Sequence, residues 1–295
     1  MPHSPIEALT TPYAVAIHDA GAANMIAAWV AGGVCAAPNP PDLVIAAGPA
    51  KAIWEQRFGK GSFVEEFPPD FGACACLISG TGWASDWEHR ARALAAKAGL
   101  RSIAVVDHWV NYAMRFEREG VRQWPDTIWV GDAEAGLIAR AEFPEIPVEE
   151  HPNLYLAEQA RDAGPTPDMG DILFLLEPAR SSWGGSKPGE FQALNFFISA
   201  RTKAGLPHHL PIRIRPHPSD PKGKYDDWLE GRSGASLDSS PDMATALRAA
   251  RCVVGMNSAG LVLALEAGRR VISALPPNAP PCVLPHKGIE KLCEL

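Results

Sequence analysis

The feature that most constrains this chain is an alternation repeated along its length. A short apolar run ends in a small or polar turn, and a helix-like stretch follows. Tyr13 to Ile17 is apolar and partly β-branched; His18-Asp19-Ala20-Gly21 follows it, then the Ala-rich stretch Ala22 to Ala31. The pattern returns as Leu43 to Ala47 before Ala50 to Phe58, and as Ala75 to Ile78 before Ser85 to Ala98, which Gly99 stops. Ser85 reads as the N-cap of that helix and Glu88 as the partner in a capping box. Ile103 to Val106 ends at Asp107-His108-Trp109, and Thr127 to Val130 precedes a helix over Ala133 to Ala141 capped by Asp132. Near-continuous apolar strands alternating with helices predict parallel sheets covered on both faces.

A second series follows Arg161-Asp162-Ala163-Gly164-Pro165-Thr166-Pro167, the most linker-like stretch of the chain. Its strands are Asp171 to Leu176, Ile212 to Ile214, Cys252 to Gly255 and Val271 to Ala274, with helices over Glu190 to Ala204, Asp242 to Ala250 and Ala259 to Ala267. Two α/β domains are therefore expected, 1–164 and 165–295. The 28 prolines and 26 glycines exceed the usual combined share of about 12%. Many of them fall at strand ends, where ligands of such sheets bind.

Charge narrows the partners. With 27 Lys+Arg against 34 Asp+Glu the net charge is −7, which argues against a general grip on nucleic acid, so an anionic ligand must be held locally. There is no apolar run of about 18 residues and no secretory leader pattern. The reading is cytoplasmic, with peripheral attachment at the inner membrane left open. Cys35, Cys74, Cys76, Cys252, Cys282 and Cys293 lack the paired spacing of a zinc site and read as reduced, mostly buried thiols. Cys74 and Cys76 would share one face of a strand. Neither a metal nor a resident cofactor is expected.

Four strand-end clusters carry candidate chemistry. Arg215-Pro216-His217-Pro218 is stiffened by two prolines and can present a guanidinium and an imidazole to a phosphate, or simply end an edge strand. Gly255-Met256-Asn257-Ser258-Ala259-Gly260 opens a helix whose free N–H groups suit an anion, unless Asn257 or Ser258 serves only as its cap. Glu266, two turns on, suits a hydroxyl such as that of a ribose. His18-Asp19-Ala20-Gly21-Ala22-Ala23-Asn24 lets a ligand approach the backbone but is no dinucleotide fingerprint, and Asp19 reads equally as a helix cap. Asp107-His108-Trp109-Val110-Asn111-Tyr112 offers a carboxylate and an imidazole that point apart along a strand, with Trp109 and Tyr112 available to stack on a sugar. Ser79-Gly80-Thr81-Gly82-Trp83 and Ser181-Ser182-Trp183-Gly184-Gly185-Ser186 read first as turns chosen for backbone freedom, the second with wrapping of a base or phosphate as its alternative. Trp29, Trp54, Trp87 and Trp124 are assigned to packing.

The R-P-H-P segment, followed by V-V-G-x-N-S-x-x-L-x-x-x-L-E-A-G, resembles the C-terminal half of bacterial GT-B glycosyltransferases. It is similar in particular to the sialyltransferase, polysialyltransferase and Kdo-transferase families of surface-polysaccharide synthesis, and to CDP-glycerol glycerophosphotransferases. The resemblance implies an α/β, GT-B-like fold, two Rossmann-like domains with parallel sheets facing across a cleft. It implies a metal-independent transferase whose donor is a nucleotide sugar, most plausibly CMP-activated, and whose acceptor is a glycan, lipid or protein hydroxyl. By the same likeness His217 and Ser258, with Arg215, Asn257 and Ala259, hold the donor phosphate and Glu266 touches the ribose. The N-terminal half would supply the base, Asp19, Asp107 or His18, and an acceptor site with Asn24, His108 and Trp109. The families' acidic D-x-G motif lacks its glycine here, so the choice between Asp19 and Asp107 stays open. UDP-sugar epimerisation, glycerophosphotransfer and non-catalytic nucleotide-sugar binding are the rivals.

Overall fold

The computed structural model describes residues 4–9, 12–32, 40–83, 85–179 and 181–295. Cys35 lies outside the described residues. The chain divides into two compact units, Met1–Tyr155 and Leu156–Leu295.

The first unit runs β1 (Tyr13–Ile17), α1 (Ala20–Ala31), β2 (Leu43–Ala46), α2 (Ala50–Phe58), β3 (Cys76–Ser79), α3 (Trp87–Ala98) and β4 (Arg101–Val106). An antiparallel ribbon of β5 (Glu117–Arg118) and β6 (Val121–Arg122) follows, then β7 (Thr127–Val130), α4 (Ala133–Glu142) and β8 (Val148–Glu150). Helix α5 (Leu154–Ala163) carries the chain into the second unit. There it forms β9 (Asp171–Leu175), α6 (Gly189–Ala200), β10 (Ile212–Arg215), α7 (Asp226–Leu229), β11 (Ala235–Leu237), α8 (Met243–Arg248), β12 (Ala250–Gly255), α9 (Ala259–Glu266), β13 (Arg270–Ser273) and β14 (Ile289–Lys291).

Each unit holds a six-stranded sheet, in the orders β2-β1-β3-β4-β7-β8 and β11-β10-β9-β12-β13-β14. Every pairing within them is parallel. Strand β1 shows why. All five of its residues are buried; Tyr13, Val15 and Ile17 pack with Met25 and Trp29 of α1, while Ala14 and Ala16 pack with Ala91 and Ala95 of α3. A strand buried on both faces requires helices on both sides, and each fully buried large apolar side chain contributes about 1.5–3 kcal/mol. Strand β9 repeats the arrangement, with Ile172 and Phe174 against Phe197 of α6 and with Leu173 and Leu175 buried as well. Both sheets have a switch point, between β1 and β3 and between β9 and β12, where the order of strands reverses about the first-made strand.

Several local expectations change. Glu88 does not complete a capping box; it is fully buried and its Oε1 accepts the N–H groups of His18 at 2.8 Å and Asp19 at 3.3 Å. Ser85 Oγ accepts from Trp87 N at 3.1 Å, and the helix begins after Asp86. Arg161 to Ala163 end α5 rather than beginning a linker. The Gly-Pro stretch after them is fastened by Arg269, 2% exposed, which donates to the carbonyls of Ala163, Gly164, Pro165 and Leu247. The helix expected to run to Ala204 stops at Ala200. Trp29 and Trp54 are core, whereas Trp124 is 46% exposed. Cys74 precedes β3 instead of sharing it with Cys76, and Cys293 is exposed while Cys74, Cys76 and Cys252 are buried.

Candidate functional site

In the first unit the loops after β1, β3 and β4 meet around a set of acidic groups. The Gly80-Thr81-Gly82 turn lies against the β1–α1 loop. A Cβ on Gly82 would stand 2.4 Å from Asp19 Oδ2, and one on Gly80 would stand 2.9 Å from Glu88 Oε1. Neither glycine has positive φ, so close approach rather than backbone freedom explains them. Asp19 occupies the N-cap position of α1 but makes no side-chain cap hydrogen bond; its Oδ1 lies 3.2 Å from His18 Nδ1. A proton on Nδ1 satisfies that contact and leaves His18 Nε2 with a lone pair. Asn24 is half-buried in the second turn of α1.

Asp107 is held differently. Its Oδ1 receives Nη1 of the buried Arg115 at 2.9 Å, and its Oδ2 lies where a Cβ of Gly21 would come within 1.8 Å. The carboxylate therefore sits at the start of α1, where the helix dipole favours it. Arg115 also binds Thr81 and the Val110 carbonyl, and Arg92 spans Ser79, Gly80 and the Arg115 carbonyl. Glu88 Oε2 is buried without a hydrogen-bond partner among the described residues; burial, then the nearby Asp19 charge, raises the Glu88 pKa, partly offset by its backbone hydrogen bonds.

His108 Nδ1 accepts from Trp109 N at 2.9 Å, and burial lowers the His108 pKa. Trp109 is 8% exposed and donates its indole N–H to both oxygens of Asp132, at 3.1 and 2.9 Å. Tyr112 is likewise buried, its hydroxyl on the Ala135 carbonyl. Both rings are thus largely packed inside the first unit. The neighbouring Asp132 is at once the cap of α4 and the partner of Trp109.

In the second unit the parallel strands bring His217 (after β10), Glu177 (after β9) and Asn257-Ser258 (after β12) to the same carboxyl edge of the sheet. His217 is exposed; its N–H donates to Asp220 Oδ2 at 3.0 Å, while Nδ1 accepts Ser219 N at 3.2 Å and lies 2.7 Å from Ser219 Oγ. A ring nitrogen that accepts a backbone N–H carries no proton, so a neutral His217 offers Nε2–H as a donor. Arg215 is not a free cation. It binds Asp238 and the Ser240 carbonyl, and Asp238 also binds Arg213, itself paired with Asp171.

Ser258 caps α9 through Gly260 N at 3.1 Å. Asn257 N donates to Glu177 Oε1 at 2.7 Å, and Asn257 Oδ1 accepts from Val283 N at 2.9 Å. Ala259 and Glu266 are exposed at opposite ends of α9. Sequence reasoning missed Glu177, whose only signal was its place immediately beyond a strand, before Pro178. With Ser181, Trp183, Met256, Asn257 and Leu275 it lines a cavity of about 290 Å³.

No protein-family model and no curated protein sequence matches the chain. Solved structures do. The S. aureus MnaA-UDP co-structure is similar with a TM-score of 0.59 and 12% identity over 89% of this chain and 78% of that one. UDP-GlcNAc 2-epimerase from Methanocaldococcus jannaschii gives 0.56 and 10% over 89% and 83%. The glycotransferase of kitacinnamycin gives 0.52 and 11% over 99% and 86%. Identities this low define architecture, and the architecture is an α/β GT-B-like fold with two six-stranded parallel sheets. Among the described residues no helix is long and apolar enough to cross a membrane.

Proposed function

We propose that the chain is an enzyme acting on a nucleotide-activated sugar, with the nucleotide phosphate received by the second unit. The observation that carries this is the carboxyl edge of the second sheet, where His217 offers a fixed Nε2–H and α9 begins at Ser258. Arg215 contributes by shaping the β10 exit rather than by direct charge. Sugar transfer to a glycan, lipid or protein hydroxyl is the first reading, with a CMP-linked donor of sialic-acid or Kdo type suggested by the R-P-H-P segment. His18 and Asp19 are favoured for the base: Asp19 is spent on neither a cap nor a cation, and it orients the ring, whereas Asp107 is bound to Arg115. UDP-sugar epimerisation is the second reading, favoured by the fold likeness to a UDP-GlcNAc 2-epimerase.

Thermal shift with CMP, CDP, UDP and GDP tests the common step. A ligand at a hundred times its dissociation constant stabilises by about 2.7 kcal/mol. The expected result is a clear shift for one nucleotide, lost in His217→Ala without loss of fold. No shift with any nucleotide overturns the reading. Product analysis then separates the two chemistries: free nucleotide appearing only with an acceptor supports transfer, and an epimerised sugar without an acceptor supports the second reading.

A further inference from the structure

The cavity at the ends of β9 and β12 has a chemistry of its own. Glu177 is its only acidic lining residue, and no lysine or arginine lines it among the described residues. Glu177 Oε1 takes the Asn257 N–H at 2.7 Å, while Oε2 has no hydrogen-bond partner among the described residues. The arginines of the adjacent strand, Arg213 and Arg215, are held by Asp171 and Asp238. A phosphate placed against Glu177 would meet a like charge. Glu177 Oε2 therefore suits a hydrogen-bond donor.

Beside Glu177, Ser181 and Asn257 the lining is apolar. Trp183 is held at φ 45°, a conformation that a bulky residue rarely adopts. Its carbonyl accepts from Asn278 Nδ2 at 3.1 Å, and its ring packs where a Cβ on Gly189 would lie 2.8 Å from the indole. Pro178, Ala179, Met256, Leu275 and Pro280 add apolar lining. A free carboxylate oxygen beside an indole and an apolar floor suits a ring with hydroxyl groups on its rim and C–H groups on its face.

We propose that this cavity is a sugar-ring subsite, with Glu177 Oε2 accepting a ring hydroxyl and Trp183 covering the ring's apolar face. The assignment rests on the nucleotide-sugar reading for the source of the ring, yet it is testable apart from it. Glu177→Gln keeps an oxygen for the Asn257 N–H and replaces the free acceptor with a donor.

Calorimetric titration compares UDP with UDP-N-acetylglucosamine, and CMP with CMP-N-acetylneuraminate, on the wild type and this variant. The expected result is a loss of about tenfold for the sugar nucleotide that binds, with the bare nucleotide changed by less than about twofold. Trp183→Ala should repeat the pattern, and if that variant fails to fold, Glu177→Gln decides alone. Equal losses for both ligands, or a gain for the bare nucleotide, overturn the subsite, the gain because it would put the carboxylate against phosphate. If no nucleotide binds the wild type, the nucleotide reading falls by itself. The subsite is then decided by saturation-transfer NMR with free N-acetylglucosamine. Transfer to the ring protons that is abolished in Glu177→Gln supports it, and its absence from the wild type, or its persistence in the variant, overturns it.

Discussion

His18 and His217 have opposite ring assignments because their Nδ1 atoms face opposite partners. A carboxylate at Nδ1 makes His18 Nε2 an acceptor, and a backbone N–H at Nδ1 makes His217 Nε2 a donor. One residue type thus offers a hydrogen-bond acceptor in the first unit and a donor in the second. The acids divide in the same way. Burial raises the Glu177 pKa, partly offset by the Asn257 N–H. A raised carboxyl pKa favours the fold below the unfolded value, and that contribution is lost as pH rises through the folded value. Glu177→Gln should therefore stabilise the protein at pH 7 by on the order of 1 kcal/mol, and the gain should close as pH falls below about 4.3, the ordinary glutamate value. Melting curves across pH check this, and a variant less stable at pH 7 contradicts it. Asp238 runs the other way. Burial raises its pKa, but hydrogen bonds from Ser240 and Arg215 and the charges of Arg213 and Arg215 more than offset this, so it lies below the ordinary range. Its contribution is present above the unfolded value and is lost as pH falls through the folded one. Asp238→Ala should cost about 3 kcal/mol at pH 7 by leaving Arg215 without its carboxylate and Arg213 with Asp171 alone. Urea titrations should show that deficit shrinking in acid.

Elements were legible in the sequence where an apolar run met a small-residue turn, as at Tyr13 to Gly21, because burial on both faces leaves little room for another pattern. Strand β8 and helix α5 were not legible: Val148–Glu150 is short and charged, and α5 carries polar residues between its apolar ones. The candidate site was visible as a set of strand ends, but the partners of its residues were not. Ser85 followed three residues later by Glu88 reads as a local cap. Only the fold brings Glu88 to the His18 and Asp19 amides, some 70 residues away in sequence. Arg215 and Trp109 looked free for ligands until Asp238 and Asp132 were placed beside them. Helix α3 thus anchors the loop that opens α1, and Glu88→Ala should cost about 1–3 kcal/mol for each amide left unpaired and should lower turnover. A stable variant with full activity would contradict that role. Gly21→Ala drives a methyl into Asp107 Oδ2 and should lower the melting temperature more than Asn24→Ala, on the same helix. Trp109→Phe should cost about 1–2 kcal/mol through the lost Asp132 hydrogen bonds while leaving nucleotide affinity unchanged. A selective loss of affinity would restore the ring to the ligand site.

At the scale of the whole molecule both units follow one plan, and the plan has a consequence for synthesis. Each sheet starts with an interior strand, β1 or β9, and every later strand of that sheet pairs with one that precedes it in the chain. A polypeptide emerging from the ribosome can thus extend each sheet outward without waiting for a strand not yet made, and domains fold as units during synthesis. The first sheet has all of its strands once β8 is complete. The second meets one long interval. After β11 pairs with β10, one edge of β9 stays open until β12 arrives at Ala250, and an open apolar edge invites pairing with other chains. Ribosome-bound chains stalled with Leu247 just outside the exit tunnel should be cleaved by protease throughout the second unit while resisting it over the strands of the first sheet. Chains released past Lys291 should resist over both. Equal protection at the two lengths would mean that β9 does not wait for its partner.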